Sequence, residues 1–308
     1  MNNKDFNYGY QSKEYASSFW ETGTALNLYS ASGWIIKRNI PGTQLYDAMG
    51  CYPFLICTHW DQIKNDLLTL KNDIVSLTAV TDPAGNYSYE LLKNSFPDLC
   101  TPFKEHFVVN MQRNWEKSIS SNHKRNAQKA AKDLEVERVD NPHAYLHTWC
   151  LLYDKLIKRH NITGITKFSS QAFDLQLKAP GIGAHRAVYK GETVGMVLWY
   201  VHDQHVYYHL GAYDNTGYEK KASFAIFKKA FEDFAELGKK HIYLGAGAGL
   251  NPQAEDGLTR FKRGWSNTTR TVYLCGRILD KYRYDQLVNR LGSQERNYFP
   301  AYRRPEFG

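Results

Sequence analysis

Residues 209–231 read HLGAYDNTGYEKKASFAIFKKAF. An apolar, aromatic run ends near Tyr213, a polar turn follows, and a helical period begins. Phe224, Phe227, Phe231 and Phe234 fall on one face, widened by Ile226 and Ala230. Lys228, Lys229, Glu232, Asp233 and Glu236 fall on the other, which predicts a half-buried core helix with Gly238 as its C-cap. Many nucleotide and coenzyme binders hold phosphates at such a strand-to-helix junction. There the first amides of the helix lack partners and the dipole is positive. Those junctions usually carry glycines, whereas this one carries Tyr218, Glu219, Lys220 and Lys221.

Upstream, AHRAVYK, TVGMVLWYV and HVYYHLGAY are three strands with short turns at Lys190–Gly191–Glu192 and His202–Asp203–Gln204. Turns of that length predict an antiparallel meander. Downstream, HIYLGAGAG is a strand, and a strand–helix–strand connection of this length implies a parallel pair. GLTRFKRGW reads as a short helix or loop and TRTVYLCGRIL as a last strand.

The first third is mixed α and β. GWIIKRNI is a strand closed by Pro41–Gly42, and HWDQIKNDLLTLKND has Ile63, Leu67 and Leu70 at helical spacing. IVSLTAVTDPAG is a buried strand ended by Asp82–Pro83, and FKEHFVVNM is another strand. In SISSNHKRNAQKAAKDLEVERVD, Ser120 or Ser121 caps a helix through Arg125, Lys129 and Lys132, and strand LEVERVD follows. NPHAYLHTWCLLYDKLIKRH is a long helix with Pro142 near its start, and SSQAFDLQLKA is a second. Four segments result: an arm at 1–20, a smaller mixed α/β half at 21–115, a main domain at 116–280, and a tail at 281–308 that packs back on the surface.

At 308 residues the chain accommodates two domains, and 43% hydrophobic residues predict a packed protein rather than disorder. The net charge of +8 favours anionic partners, though no block of consecutive basic residues reads as a nucleic-acid tail. The five cysteines are scattered and include no CxxC pair, so neither a disulfide framework nor a closed zinc site is indicated. Cys51, Cys57 and His59 lie close in CYPFLICTH but lack a fourth ligand, and buried thiols are the expectation. No metal is expected. No apolar stretch is long enough to span a bilayer and no basic n-region precedes an apolar run, which predicts a soluble, cytoplasmic protein. Neither G-x-S-x-G nor H-E-x-x-H occurs.

A meander, a helix at the end of its last strand, then a parallel strand, helix and strand: this order resembles the GNAT acyltransferase fold. Three stretches resemble its Fem-type branch, the peptidoglycan-branching aminoacyltransferases and their acetyltransferase-like relatives. They are the basic helix SSNHKRNAQKA, the GETVG of Gly191–Gly195, and the GLTRFKRGW of Gly257–Trp265. The resemblance spans roughly residues 110–280. It implies an α/β (α+β) GNAT fold with a mixed central sheet flanked by helices. Fem-type enzymes carry two such halves, and the residues leave open whether the first third is a degenerate second copy.

Group transfer from a thioester or ester donor to an amine is what the resemblance implies. An activated donor needs no covalent nucleophile. The site must orient the amine, remove its proton and stabilise an oxyanion. In coenzyme-A-dependent members a (Q/R)-x-x-G-x-(G/A) loop binds pyrophosphate through its amides. Here GYEKKAS lacks those glycines, with Lys221 and Ser223 where small residues are expected. Tyr218, Lys220, Lys221 and Ser223 are therefore candidates for holding donor phosphates through side chains. Arg125 and Lys129 share a helix face and are candidates for phosphate or tRNA contact.

Lys262 lies where the resemblance implies a lysine near the donor ester or substrate phosphates, able to stabilise a developing oxyanion. His209 has the titration range of a base, and Asp214 flanks the same strand end. Gly245 and Gly247, in the Gly245–Gly249 run, permit close approach of substrate. Lys104 and His106 in FKEHF are outside candidates that would reach a cleft between the halves. The favoured reading is transfer from aminoacyl-tRNA to an amine-bearing small molecule or peptide. An acyl-CoA-dependent N-acyltransferase is the alternative, and a non-catalytic scaffold binding nucleic acid or protein is the third reading. No tightly bound cofactor is expected, only aminoacyl-tRNA or acyl-CoA as co-substrate. Oligomeric state is left open.

Overall fold

The computed structural model describes residues 8–247, 256–291 and 298–306. Contacts divide the chain into two units, one of residues 1–103 with 271–308 and one of residues 104–270. Part of the 281–308 tail and Gly249 of the glycine run lie outside the described residues.

In the first unit the chain runs through α1 (Lys13–Ser17), β1 (Thr24–Leu28), β2 (Gly33–Asn39) and β3 (Tyr46–Gly50). It continues through α2 (Ile63–Thr69), β4 (Ser76–Val80) and α3 (Tyr89–Ser95) into β5 (Leu99–Asn110). Strands β1, β2 and β3 form an antiparallel meander, and β4 lies parallel to β3 with Ala48 opposite Leu77. The segment expected as an aperiodic arm instead carries α1. Ser12 caps that helix by accepting from the Tyr15 amide, and Tyr10, Tyr15 and Phe19 are buried. Its aromatic residues, which show no period in sequence, pack edge to face on one another and on Phe54.

The second unit contains α4 (Trp115–Ser118), α5 (Ser121–Ala130), β6 (Glu135–Val139), α6 (Leu146–His160) and α7 (Ser170–Gln176). The meander follows as β7 (Ile182–Tyr189), β8 (Glu192–His202) and β9 (His205–Tyr213). Next come α8 (Asn215–Glu219), α9 (Ala222–Glu236), β10 (His241–Gly245) and α10 (Gly257–Trp265). Then β11 (Thr268–Ile278) and α11 (Lys281–Leu291) return the chain to the first unit, where β11 pairs antiparallel with β4. Thus meander, helix, parallel strand and helix occur in the same order in both units.

Sheet order in the second unit is β5-β10-β9-β8-β7-β6, with only β9 and β10 parallel. The turn between β7 and β8 holds Lys190 and Gly191 at φ 51° and 84°, the positive values a tight hairpin needs. Trp199 on β8 is fully buried and meets Phe227, Phe231 and Phe234 of α9. The phenylalanine stripe is therefore core, as its spacing implies. Phe224 is its half-buried end.

In the first unit the C-terminal segment is fixed by a buried ion pair. Arg303 donates to both oxygens of Asp47 at 2.6 and 2.8 Å and to the Asn39 carbonyl at 2.7 Å. Arg38 stands 3.2 Å from the same carboxylate, which is fully buried. Tyr302 links the pair to Ser76 on β4 at 2.7 Å. Removing the carboxylate leaves two guanidinium groups in a dry site. Asp47→Ala should lower unfolding stability by about 3–5 kcal/mol, read from the urea midpoint at constant m-value.

Candidate active site

Parallel strands β9 and β10 pair only from His205–His241 to Tyr207–Tyr243, although β9 runs on to Tyr213 and β10 to Gly245. Their C-terminal ends therefore part, and the carboxyl ends of parallel strands are where open α/β sheets bind ligands. Helix α10 follows this opening. Asp256 caps it, accepting from the Thr259 amide at 2.8 Å and the Thr259 hydroxyl at 2.9 Å.

Lys262 is 6% exposed, and its Nζ donates to the Ala246 carbonyl at 2.6 Å. The Tyr208 ring centroid lies 5.5 Å from the same nitrogen. Gly245 makes this bond possible in two ways. Its φ of 77° suits glycine, and a Cβ there would sit 3.1 Å from Lys262 Nζ. Gly247 is packed still more tightly, since a Cβ would fall 1.9 Å from Thr259 Oγ1. Both glycines thus serve the seat of α10.

Burial pushes the Lys262 amine down to about 7, Lys104 adds to the fall, and Asp256 opposes it. Lys104, half-buried on β5, is itself lowered by burial, again opposed by Asp256. His106, two residues along, is held near 3 by burial, then by Lys262 and Lys104, and is neutral at physiological pH. Lys104, His106, Asp256 and Lys262 therefore form one electrostatic cluster of the second unit. A desolvated amine titrating near neutrality is suited to exchanging a proton with a reacting group.

The structure engages the other candidates elsewhere. His209 is buried, bonds Gln176 at 3.1 Å, and is held near 3 by burial, so it carries no charge at neutral pH. Asp214 caps α8 by accepting from the Gly217 amide at 2.8 Å, with Lys155 3.8 Å away. Tyr218 lies under the Arg159 guanidinium, 4.0 Å from its ring centroid. Lys220 pairs with Asp133 at 2.8 Å, and Lys221 donates to Asn126 at 2.7 Å. Ser223 is half-buried in the first turn of α9. Arg125 and Lys129 are exposed on α5. Cys51 and Cys57 are buried free thiols, and no three metal-ligating groups converge among the described residues.

Asp256, Thr259 and Tyr208 belong to the site but are absent from the sequence reading. For Asp256 a signal exists: an N-cap residue three positions before Thr259, at the head of the GLTRFKRGW run.

Residues 117–263 match the family model of the Acetyltransferase (GNAT) domain. The chain thus carries a GNAT acyltransferase domain. No curated protein matches it in sequence. Among solved structures, FemX is 12% identical, covering 93% of this chain and 98% of that one with a TM-score of 0.66. The C-terminal domain of a putative lysylphosphatidylglycerol synthetase from Agrobacterium fabrum is 13% identical, covering 91% and 92% with a TM-score of 0.64. L-PGS from Bacillus licheniformis is 14% identical, covering 94% and 98% with a TM-score of 0.56. These are likenesses of fold, and the architecture is Fem-like. No helix of the described residues is long and apolar enough to cross a membrane.

The buried amine carries a stability cost with a defined pH range. Its folded value of about 7 lies below the unfolded value of roughly 10.4, so folding disfavours the charged form. The penalty is complete below pH 7, shrinks as pH rises from about 7 to 10, and vanishes above the unfolded value. Lys262→Met should therefore stabilise the protein at pH 6, on the order of 1–3 kcal/mol after losing the bond to Ala246. Chemical denaturation at pH 6 and pH 10 checks this, with the gain confined to the lower pH.

Proposed function

We propose that the protein transfers an aminoacyl group from aminoacyl-tRNA to an amine on a small molecule or peptide. The observation that carries the donor is the α8–α9 junction. A coenzyme pyrophosphate needs several open amides there, but four are engaged within the turn. The Gly217 amide bonds Asp214 Oδ1 and the Tyr218 amide the Asp214 carbonyl. The Lys220 and Lys221 amides bond the carbonyls of Thr216 and Tyr218. Lys221 enters α9 at φ 59°, where the cradle would want glycine, and its amine is turned onto Asn126. A polynucleotide donor requires no such cradle, because its charge is spread along a backbone that exposed lysines and arginines can neutralise. Arg125 and Lys129 present such groups. The fold likeness to proteins named FemX and lysylphosphatidylglycerol synthetase supports aminoacyl transfer as the reaction class.

In this reading the neutral acceptor amine attacks the ester carbonyl carbon. A C–N bond forms, the C–O bond to the tRNA 3′-oxygen breaks, and the proton lost by the amine ends on that oxygen. Protonated Lys262 faces the oxyanion and relays the proton to the leaving oxygen. No other reactant is consumed. An acyl-CoA donor is the second reading, favoured by the match to an acetyltransferase family.

The test is transfer from charged total tRNA to a panel of amines, with and without RNase, against a parallel acyl-CoA panel. Loss of transfer after RNase is expected; transfer from acyl-CoA alone would overturn the donor assignment. In the free enzyme kcat/KM should fall above pH about 7 as Lys262 loses its proton. Lys262→Arg should remove that alkaline limb while slowing transfer about 100-fold, since a guanidinium stays charged but cannot fill the same seat.

A further inference from the structure

Helix α5 carries the basic residues that dominate its sequence, but its buried side is His123, Asn126, Ala127 and Ala130, with half-buried Ser120 as its N-cap. His123 is the centre of that side. Its Nε2 lies 2.9 Å from the Phe261 carbonyl and its Nδ1 2.7 Å from Ser120 Oγ. A carbonyl only accepts, so Nε2 holds the proton, and Nδ1 accepts from the Ser120 hydroxyl. The same hydroxyl oxygen accepts from the His123 amide at 3.2 Å, and each hydrogen-bonding group is matched. The Ser120 amide, in turn, donates to the Gly264 carbonyl at 2.9 Å. That carbonyl lies in the last turn of α10, where helical partners run out. One turn of α5 thus bonds α10 at Phe261 and at Gly264, on either side of Lys262.

The ring is as closely fitted as its nitrogens. It meets Phe224 at 5.0 Å and Trp265 at 5.2 Å edge to face, and Phe261 at 5.6 Å. Gly264 is the floor. A Cβ there would sit 2.1 Å from His123 Cε1 and within 2.5 Å of both ring nitrogens. A glycine inside a helix costs stability relative to alanine, and here the close approach of the imidazole accounts for it.

We propose that His123 is a positioning residue for Lys262, an imidazole clamp that fixes α10 so that the lysine amine reaches the Ala246 carbonyl. The inference rests on the reading of Lys262 as the reacting amine. The clamp acts on geometry. With the Phe261 and Gly264 carbonyls held, Lys262 keeps one depth and one hydrogen bond; without them α10 turns or slides and the amine becomes wet. The groups facing that amine are Lys104 and His106 on β5, Tyr208 on β9, and Asp256 at the head of α10. None is altered by the substitutions below.

His123→Leu keeps apolar volume and deletes both bonds. His123→Gln keeps an N–H that reaches the Phe261 carbonyl. The primary readout is the pH dependence of Lys262 acylation by an amine-selective reagent, followed on its peptide by mass spectrometry. In His123→Leu the midpoint should rise by about one pH unit or more as the amine regains solvent, and His123→Gln should stay within roughly 0.3 of the parent. Transfer by His123→Leu should fall about tenfold in kcat with KM for the acceptor nearly unchanged, and His123→Gln should recover most of it. An unchanged Lys262 midpoint in folded His123→Leu overturns the proposal. Should that variant not fold, Gly264→Ala decides the matter, because it displaces the ring and leaves its chemistry intact: a raised midpoint supports the clamp and an unmoved one refutes it. Labelling uses neither donor nor acceptor. A shifted midpoint in a protein that transfers from no donor would keep the clamp and discard the proposed reaction.

Discussion

The hydrogen bond from Lys262 to the Ala246 carbonyl sets the terms for the second unit. A charged amine out of water is costly unless a polar partner meets it. The chain supplies that partner from the strand end itself, where β10 has left its ladder with β9 and Gly245 turns the backbone to positive φ. The bond needs bare glycine at 245 for clearance, bare glycine at 247 so that the strand end lies against α10, and a fixed depth for the helix.

The α8–α9 junction is held by its own backbone bonds. Its α9 is an ordinary fifteen-residue core helix. A lysine in the left-handed region is unfavourable by about 1–2 kcal/mol relative to glycine. The bond from Lys221 to Asn126 and the short α8 capped by Asp214 offset that strain. The Tyr218, Lys220 and Lys221 amides are taken by neighbouring carbonyls and the Gly217 amide by the Asp214 carboxylate, and these bonds hold the turn.

What was legible in sequence is what depends on local period. The phenylalanine stripe of α9, the three meander strands and their turn residues carry their structure in residues a few positions apart. Lys262 was legible through a nine-residue run rather than through any property of lysine. The seat of α10 was not, because the bond from His123 to Phe261 joins residues 138 apart, and a basic helix hides its polar core side behind Lys124, Arg125 and Lys129. His209 misleads for the opposite reason. A histidine near a strand end has the right chemistry in isolation, but burial fixes it neutral against Gln176. Residues 8–20 lack period because α1 is short and buried by aromatic edges, not by a stripe.

The two histidines bear on the chemistry by what they cannot do. His106 and His209 are both held near 3, so at neutral pH neither donates a proton, and each would accept one only against the full cost of charging a buried ring. Lys104 is lowered by burial, opposed by Asp256, and is half-exposed. That leaves Lys262 as the cluster's amine balanced near neutrality, close enough to either form that a substrate oxygen can tip it. An ester or thioester donor asks for little more. Its carbonyl is already activated, so the fold need only fix one amine to a fraction of an ångström. In the proposed clamp, Gly245, Ala246, Gly264, Ser120 and His123 fix that amine by hydrogen bonds and close packing rather than by reacting with substrate. In that proposal, precision of placement rather than a set of reactive groups is what this part of the sequence supplies.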